Sequence, residues 1–353
     1  MLTDLELPKV MTPHATLTED FPVPVVTSEI DKGATISSDG DSKPSRRLNV
    51  PALEPHHHVG ACTRLRSMLA NSDQLIVCPG VYDGLSARIA LDVGFDALYM
   101  TGAGTTASRL GQVDLGIAQL ADMRAHAEMI ANLDESIPLI ADMDTGFGGP
   151  LLIDRAVKEY SRAGVAAFHI EDQLLAKRCG HLARKDVVEI EEYLVRIRAA
   201  KQAKEKIASD IVIIGRTDAL QKHSYDEAIK RLRAAREAGA DVGQLEGATS
   251  KEMARQAVKD LAPMPLLLNM VEHGATPIIT TKEAKDMGYR VMIFSFACLG
   301  PAFVAIRETL QKLKHEGVTG IPEDVKPKTI LDVCGLQEAQ ELDREAGGCM
   351  RPA

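Results

Sequence analysis

The sequence predicts an α/β chain folded as a (β/α)8 TIM barrel followed by C-terminal helices. A junction in which a helix stops at a glycine and an apolar run follows recurs four times. It stands at Leu91-Asp92-Val93-Gly94-Phe95, Ser161-Arg162-Ala163-Gly164-Val165, Arg236-Glu237-Ala238-Gly239-Ala240 and Lys285-Asp286-Met287-Gly288-Tyr289. Glycine just past a helix end takes the left-handed conformation at little cost, so each junction reads as helix stop and strand start. Repetition of that unit implies a parallel sheet. Eight short apolar runs alternate with helical stretches, and Thr101, Asp142, Glu171, Arg216, Glu246, Asn269 and Ser295 end a run or lie just beyond one. In a (β/α)8 barrel the chemistry gathers on the loops after the strand C-termini. A doubly wound open sheet is the alternative, and would string the same residues along a crevice.

Taken in order, residues 1–60 mix Pro, Ser, Thr, Asp and Glu without a sustained period and are expected to be a largely disordered tail. His56-His57-His58 near its end reads as a solvated linker, since no other ligand pattern surrounds it. Residues 61–320 are expected to form the catalytic barrel, with strands at 75–78, 97–101, 139–142, 166–170, 211–215, 242–245, 266–269 and 291–294. Residues 321–353 read as a C-terminal helical segment in which Ile330, Leu331, Val333, Leu336 and Leu342 carry helical apolar spacing.

At 353 residues the chain can bury a sizeable core. Its net charge of −9, from 41 basic and 50 acidic residues, argues against a nucleic-acid partner. No apolar run approaches the roughly 20 residues that span a bilayer, so no membrane partner is expected. The six cysteines form no CxxC pair or dense framework, which suits free thiols in a reducing compartment. Acidic residues at Asp4, Glu6, Glu19 and Asp20 argue against a transit peptide, and Met350-Arg351-Pro352-Ala353 is not a peroxisomal address. A cytoplasmic location is expected.

Two segments carry the chemistry. Asp142-Met143-Asp144-Thr145-Gly146-Phe147-Gly148-Gly149 is an acidic, glycine-rich turn at a strand end. Mg²⁺ and Mn²⁺ prefer carboxylate and water oxygens, so one direct ligand with water-mediated help from Asp144, Asp114 and Glu171 would make a site that a substrate completes. A plain turn in which Asp caps the next helix is the other reading. Lys177-Arg178-Cys179-Gly180-His181-Leu182 sets a thiol beside two cations and an imidazole. Neighbouring positive charge favours a thiolate, so Cys179 reads as reactive, either as a nucleophile or as a proton donor.

Arg216 has a planar fork for a carboxylate, either a substrate's or that of Asp218. Thr101-Gly102-Ala103-Gly104 would offer backbone N–H groups to an anion. Ser295 interrupts an apolar run, and a buried hydroxyl there needs a partner: a backbone carbonyl or a substrate oxygen.

In this order the segments resemble the isocitrate lyase and phosphoenolpyruvate mutase superfamily. The resemblance rests on Val77-Cys78-Pro79-Gly80-Val81-Tyr82-Asp83-Gly84, Thr101-Gly102-Ala103-Gly104, Leu110-Gly111-Gln112-Val113-Asp114, Asp142-Met143-Asp144-Thr145-Gly146, Ile170-Glu171-Asp172-Gln173, the Lys-Arg-Cys-Gly-His loop and Gly215-Arg216-Thr217-Asp218. It implies a metal-dependent barrel that assembles as a homotetramer, a dimer of dimers, with C-terminal helices exchanged between subunits. Cys179 resembles the carbon–carbon cleaving branches rather than the phosphorus-transfer ones. A serine at 295, where the lyases typically carry proline, resembles the branch that hydrolyses oxaloacetate to oxalate and acetate. A 2,3-dimethylmalate or 2-methylisocitrate lyase is the alternative, and a non-catalytic dicarboxylate-binding barrel stands behind both.

On this resemblance the expected catalytic residues are Cys179 as acid, Asp144, Ser295, His181 and Arg178. Substrate contacts are expected from Tyr82, Thr101, Gly102, Ala103, Arg216, Glu246 and Asn269. Mn²⁺ or Mg²⁺ is expected at Asp142, Asp144, Asp114 and Glu171.

Overall fold

A computed structural model describes residues 59–349 of the chain, except 72, 181 and 183. Most of the expected tail, with His56-His57-His58, lies outside the described residues, as does His181. The elements run α1 (Ala61–Ala70), β1 (Ile76–Val81), α2 (Gly84–Asp92), β2 (Leu98–Met100) and α3 (Gly102–Thr105), which continues as a π-helical turn (Thr106–Leu110). Then come α4 (Leu120–Ala131), β3 (Leu139–Asp142), α5 (Pro150–Arg162), β4 (Ala167–Glu171), α6 (Ile190–Lys206), β5 (Val212–Thr217), α7 (Tyr225–Ala238), β6 (Val242–Leu245) and α8 (Lys251–Leu261). The chain finishes with β7 (Leu266–Asn269), α9 (Thr281–Met287), β8 (Val291–Phe294), α10 (Leu299–Glu316), α11 (Pro327–Val333) and α12 (Leu336–Glu345).

The eight strands form a closed parallel barrel in sequence order, with β8 pairing back onto β1. An open crevice is thereby excluded. All eight strands lie where apolar runs were read, but β1 continues to Val81 rather than stopping at 78. Pro79, which cannot donate to a ladder, nevertheless pairs with Phe294 in the β1–β8 register.

Alternation along each strand decides what faces the interior. Ile76, Cys78, Tyr99, Ile140, Ala167, Val212, Ile214, Val242, Leu267, Val291 and Ile293 pack together inside the barrel, and Leu65 of α1 joins the same cluster. Residues one position off, such as Leu98, Met100, Leu139, Ala141, Phe168, Ile170 and Ile213, pack instead in a cluster with Met123, Ile130, Ile153, Val157 and Ile197 of α4, α5 and α6. Continuing the inward parity toward the C-terminal ends reaches Thr101, Asp142, Glu171, Arg216, Glu246, Asn269 and Ser295. All seven are buried. Stepping by two from an apolar interior therefore delivers the polar set to the barrel mouth.

No residue of α10, α11 or α12 is buried, and α10 leaves Phe303, Ile306, Leu310 and Leu313 exposed. No helix among the described residues is long and apolar enough to cross a membrane.

Candidate active site

The β4–β5 register sets Glu171 beside Arg216, and Arg216 Nη1 lies 3.3 Å from Glu171 Oε2. Arg216 also grips Asp218 with two bonds, Nε to Oδ2 at 2.8 Å and Nη2 to Oδ1 at 3.0 Å. Its bidentate fork thus goes to a carboxylate of the chain, and Nη1 is the part turned toward Glu171.

Asp142 ends β3 and accepts the backbone N–H of Asp144 on Oδ1 at 2.9 Å. Asp144 follows with φ +46°, a left-handed backbone uncommon for a residue other than glycine. Lys177 Nζ bridges Asp114 Oδ1 and Asp144 Oδ1, each at 2.5 Å. Burial would pull the ammonium toward neutrality, but Asp144, Asp114, Asp142 and Glu171 hold it charged. Burial raises Asp144 to about 7, opposed by Lys177 and reinforced by Asp142 and Asp114. Asp142 and Glu171 are likewise pushed up by burial and pulled back by the cations, Lys177 first for Asp142 and Arg216 first for Glu171.

Ser295 Oγ donates to Asn269 Oδ1 at 2.7 Å, and Asn269 Nδ2 donates to Glu246 Oε1 at 3.1 Å. Gln244 Nε2 donates to the other oxygen of Glu246 at 2.8 Å. The partner of Ser295 is therefore a side chain. With its proton directed to Asn269, the serine offers lone pairs on its remaining side, where it can accept from a hydroxyl. Thr101 caps α3, so the N–H groups of Gly102 and Ala103 fall in a first helical turn, where such groups have no partner within the helix.

Cys179 sits on the loop after β4. Its backbone N–H donates to the Asp114 carbonyl at 3.1 Å, and Gln173 holds the neighbouring Arg178 backbone through both N–H and C=O. A cavity of about 20 Å³, room for roughly one water, is lined by Tyr99, Thr101, Ala103, Asp114, Asp142, Lys177, Cys179, Gly180, Arg216, Asn269, Ser295 and Phe296. Cys179, Asp114 and Asp142 therefore line one space. Asp144 lines a second chamber of about 120 Å³, with Lys177 lining both.

Two expected placements differ. Tyr82 lines a separate apolar groove of about 600 Å³ along α10, which contains none of the acids. Of the cations flanking Cys179, Lys177 reaches Asp114 and Asp144, and Arg178 is exposed.

The sequence reading also missed residues. His169, in the interior of β4, is hydrogen-bonded to the Tyr99 hydroxyl at 2.8 Å and lies 3.5 Å from Asp142 Oδ1. Burial, then Arg216, lowers it to about 3, so the ring is neutral. Its signal was legible: a histidine inside an apolar run needs a partner, as was argued for Ser295. Lys185, buried against Asp218, carried no such signal.

The donor set suits a hard divalent cation. It is all oxygen, and Glu171 Oε1 is buried with no hydrogen-bond partner among the described residues. No three acidic, histidine or cysteine side chains among the described residues converge as a ready cage.

Residues 65–314 match the family model described as phosphoenolpyruvate phosphomutase. A solved structure of oxaloacetate acetylhydrolase with the inhibitor 3,3-difluorooxalacetate is 62% identical, with TM-score 0.82, over 83% of this chain and 99% of that one. A crystal structure of 2,3-dimethylmalate lyase, a PEP mutase/isocitrate lyase superfamily member, is also 62% identical, with TM-score 0.81, over 82% and 96%. Phosphonopyruvate hydrolase in complex with oxalate and Mg²⁺ is 26% identical, with TM-score 0.72, over 81% and 99%.

Proposed function

The chain belongs to the phosphoenolpyruvate phosphomutase family, and from that premise we propose that it is a carbon–carbon hydrolase converting oxaloacetate to oxalate and acetate. Equal identity to a hydrolase and to a lyase leaves the choice to the site. The observation that carries it is the buried Ser295 hydroxyl, oriented by Asn269 and lining the same cavity as Asp142, Arg216 and Cys179. Hydrated oxaloacetate has two hydroxyls on C2. In 2,3-dimethylmalate a methyl replaces one of them, and a methyl has no proton for the serine to accept. A site built to bond a substrate hydroxyl rejects the analogue lacking it strongly. The lyase reading keeps its support from the 62% identical lyase structure.

Asp142, Asp144, Asp114 and Glu171 would hold Mn²⁺ or Mg²⁺, which when bound supplies Lewis-acid stabilisation of developing oxyanion charge. The N–H groups of Gly102 and Ala103 hold the oxalate-like end of the substrate, with Thr101 capping their turn. Arg216 contributes positive charge at the same wall. Ser295 accepts from one C2 hydroxyl while Asp144 takes the proton of the other. The C2–C3 bond then breaks with its electron pair going to C3. The C2 fragment leaves as oxalate, and Cys179 gives its proton to the carbanion to complete acetate.

The exposed apolar face of α10, with the groove beside it, supports assembly as a homotetramer through exchanged C-terminal helices, and 321–353 is read as that intersubunit segment. Six free thiols support a cytoplasmic location. The deciding experiment follows product release with Mn²⁺ from oxaloacetate, 2,3-dimethylmalate, 2-methylisocitrate and citramalate, with an EDTA control. Oxalate from oxaloacetate, abolished by EDTA, is expected. Turnover of a lyase substrate without oxalate formation overturns the assignment.

A further inference from the structure

Lys185 takes no part in the chemistry above, yet its side chain is fully buried. Its ammonium lies 2.5 Å from Asp218 Oδ1 and donates to the Gly180 carbonyl at 2.7 Å. Asp218 is itself fixed, gripping Arg216 through both oxygens and donating its backbone N–H to Asp172 Oδ1 at 2.8 Å. One end of the contact is thus anchored in the barrel wall. The other end is the residue after Cys179.

The fit at Gly180 is close enough that an added Cβ would stand 2.6 Å from Arg216 Nη2 and 2.8 Å from Glu246 Oε1. Only glycine lets the loop descend this far. The single Arg216 charge is shared among Asp218, Glu171 and Glu246, so Lys185 adds a second cation to this acidic cluster and, through Gly180, ties the loop to it. At its base the loop is tied by the Gln173–Val187 bridge, and Leu174, Leu175 and Leu182 along it are exposed.

We propose that Lys185 is a positioning residue: it latches the Cys179 loop onto the Arg216–Asp218 pair and so holds the thiol over the cavity. This rests on the reading of Cys179 as the proton donor. The latch supplies no atom to the reaction; cutting it leaves the acids and Ser295 in place and lets the thiol drift.

The test uses the full chain with Mn²⁺ and compares wild type with Lys185→Met, which keeps the stem, and Lys185→Arg, which keeps the charge. Two readouts are taken: steady-state oxalate formation, and iodoacetamide labelling of each cysteine by peptide mass spectrometry with and without oxalate. For Lys185→Met, kcat falls about 10–100-fold, the scale of a displacement near 1 Å, while oxalate affinity stays within about threefold. Labelling of Cys179 accelerates and loses its protection by oxalate, while buried Cys78 stays unlabelled. Lys185→Arg recovers part of both. Should Lys185→Met fail to fold, Lys185→Gln carries the same readouts. Wild-type kcat and Cys179 labelling in the folded variant overturn the latch. So does a variant in which all cysteines, Cys78 included, label faster together. A wild-type protein that makes no oxalate defeats the functional assignment instead, and the labelling contrast still tests the latch.

Discussion

Replacing Ser295 by alanine tests the assignment where it is most exposed. The hydroxyl is buried and bonded to Asn269 at 2.7 Å. Its backbone is held by the close passage of β1: a Cβ added at Gly80 would lie 2.6 Å from the Ser295 carbonyl oxygen. The alanine methyl therefore stays where the serine Cβ was, and the change is confined to one oxygen. A buried polar group deprived of its partner costs about 1–3 kcal/mol. In the enzyme alone that loss falls on Asn269 and lowers Tm by roughly 1–5 °C. In the transition state the same loss falls on the second hydroxyl of the hydrate, and kcat/KM for oxaloacetate drops about 5–150-fold at 1.4 kcal/mol per tenfold. Continuous oxalate release with Mn²⁺ reads the second effect and thermal melting the first. Ser295→Thr, which restores a hydroxyl, recovers most of both. The reasoning is refuted if Ser295→Ala shows the lowered Tm but hydrolyses oxaloacetate within about twofold of wild type, because the hydroxyl would then be a brace for Asn269 and nothing more.

Cys179→Ser should lower kcat by about 10²–10⁴ while oxalate still binds, since only the proton donor is changed; undiminished turnover removes the acid role. Stability without metal should respond to pH through Asp144. Its folded value of about 7 lies above the ordinary 3.8, so its contribution is full below about pH 4 and is lost as pH rises through 7. Melting in EDTA, plotted as wild type minus Asp144→Asn, should decline from pH 5 to 8. Taking the difference cancels His169, whose lowered value acts with the opposite sign. A difference that climbs across this window contradicts the assignment of Asp144.

The barrel was readable because its two periodicities are local. Glycine stops close the helices, and inward parity from residues such as Ile140 and Ala167 leads directly to Asp142 and Glu171. Cys179, Asp142 and Ser295 share one cavity because each follows a strand, and strand ends of a closed barrel converge. What escaped depends on distance along the chain. Lys177 lies 63 residues from Asp114, and adjacency suggested instead that its charge acted on Cys179. Lys185 lies 33 residues from Asp218, in a stretch whose residue types promise only solvent.

The ammonium of Lys177 between Asp114 and Asp144 has a consequence for how the protein lives through shortage. A nest of carboxylates with no resident cation would push its own walls apart. Here the polypeptide brings its own counterweight, tethered and always present. The acidic mouth therefore carries a positive charge of its own whether or not an inorganic ion is bound, and stripping such an ion is expected to leave the fold standing.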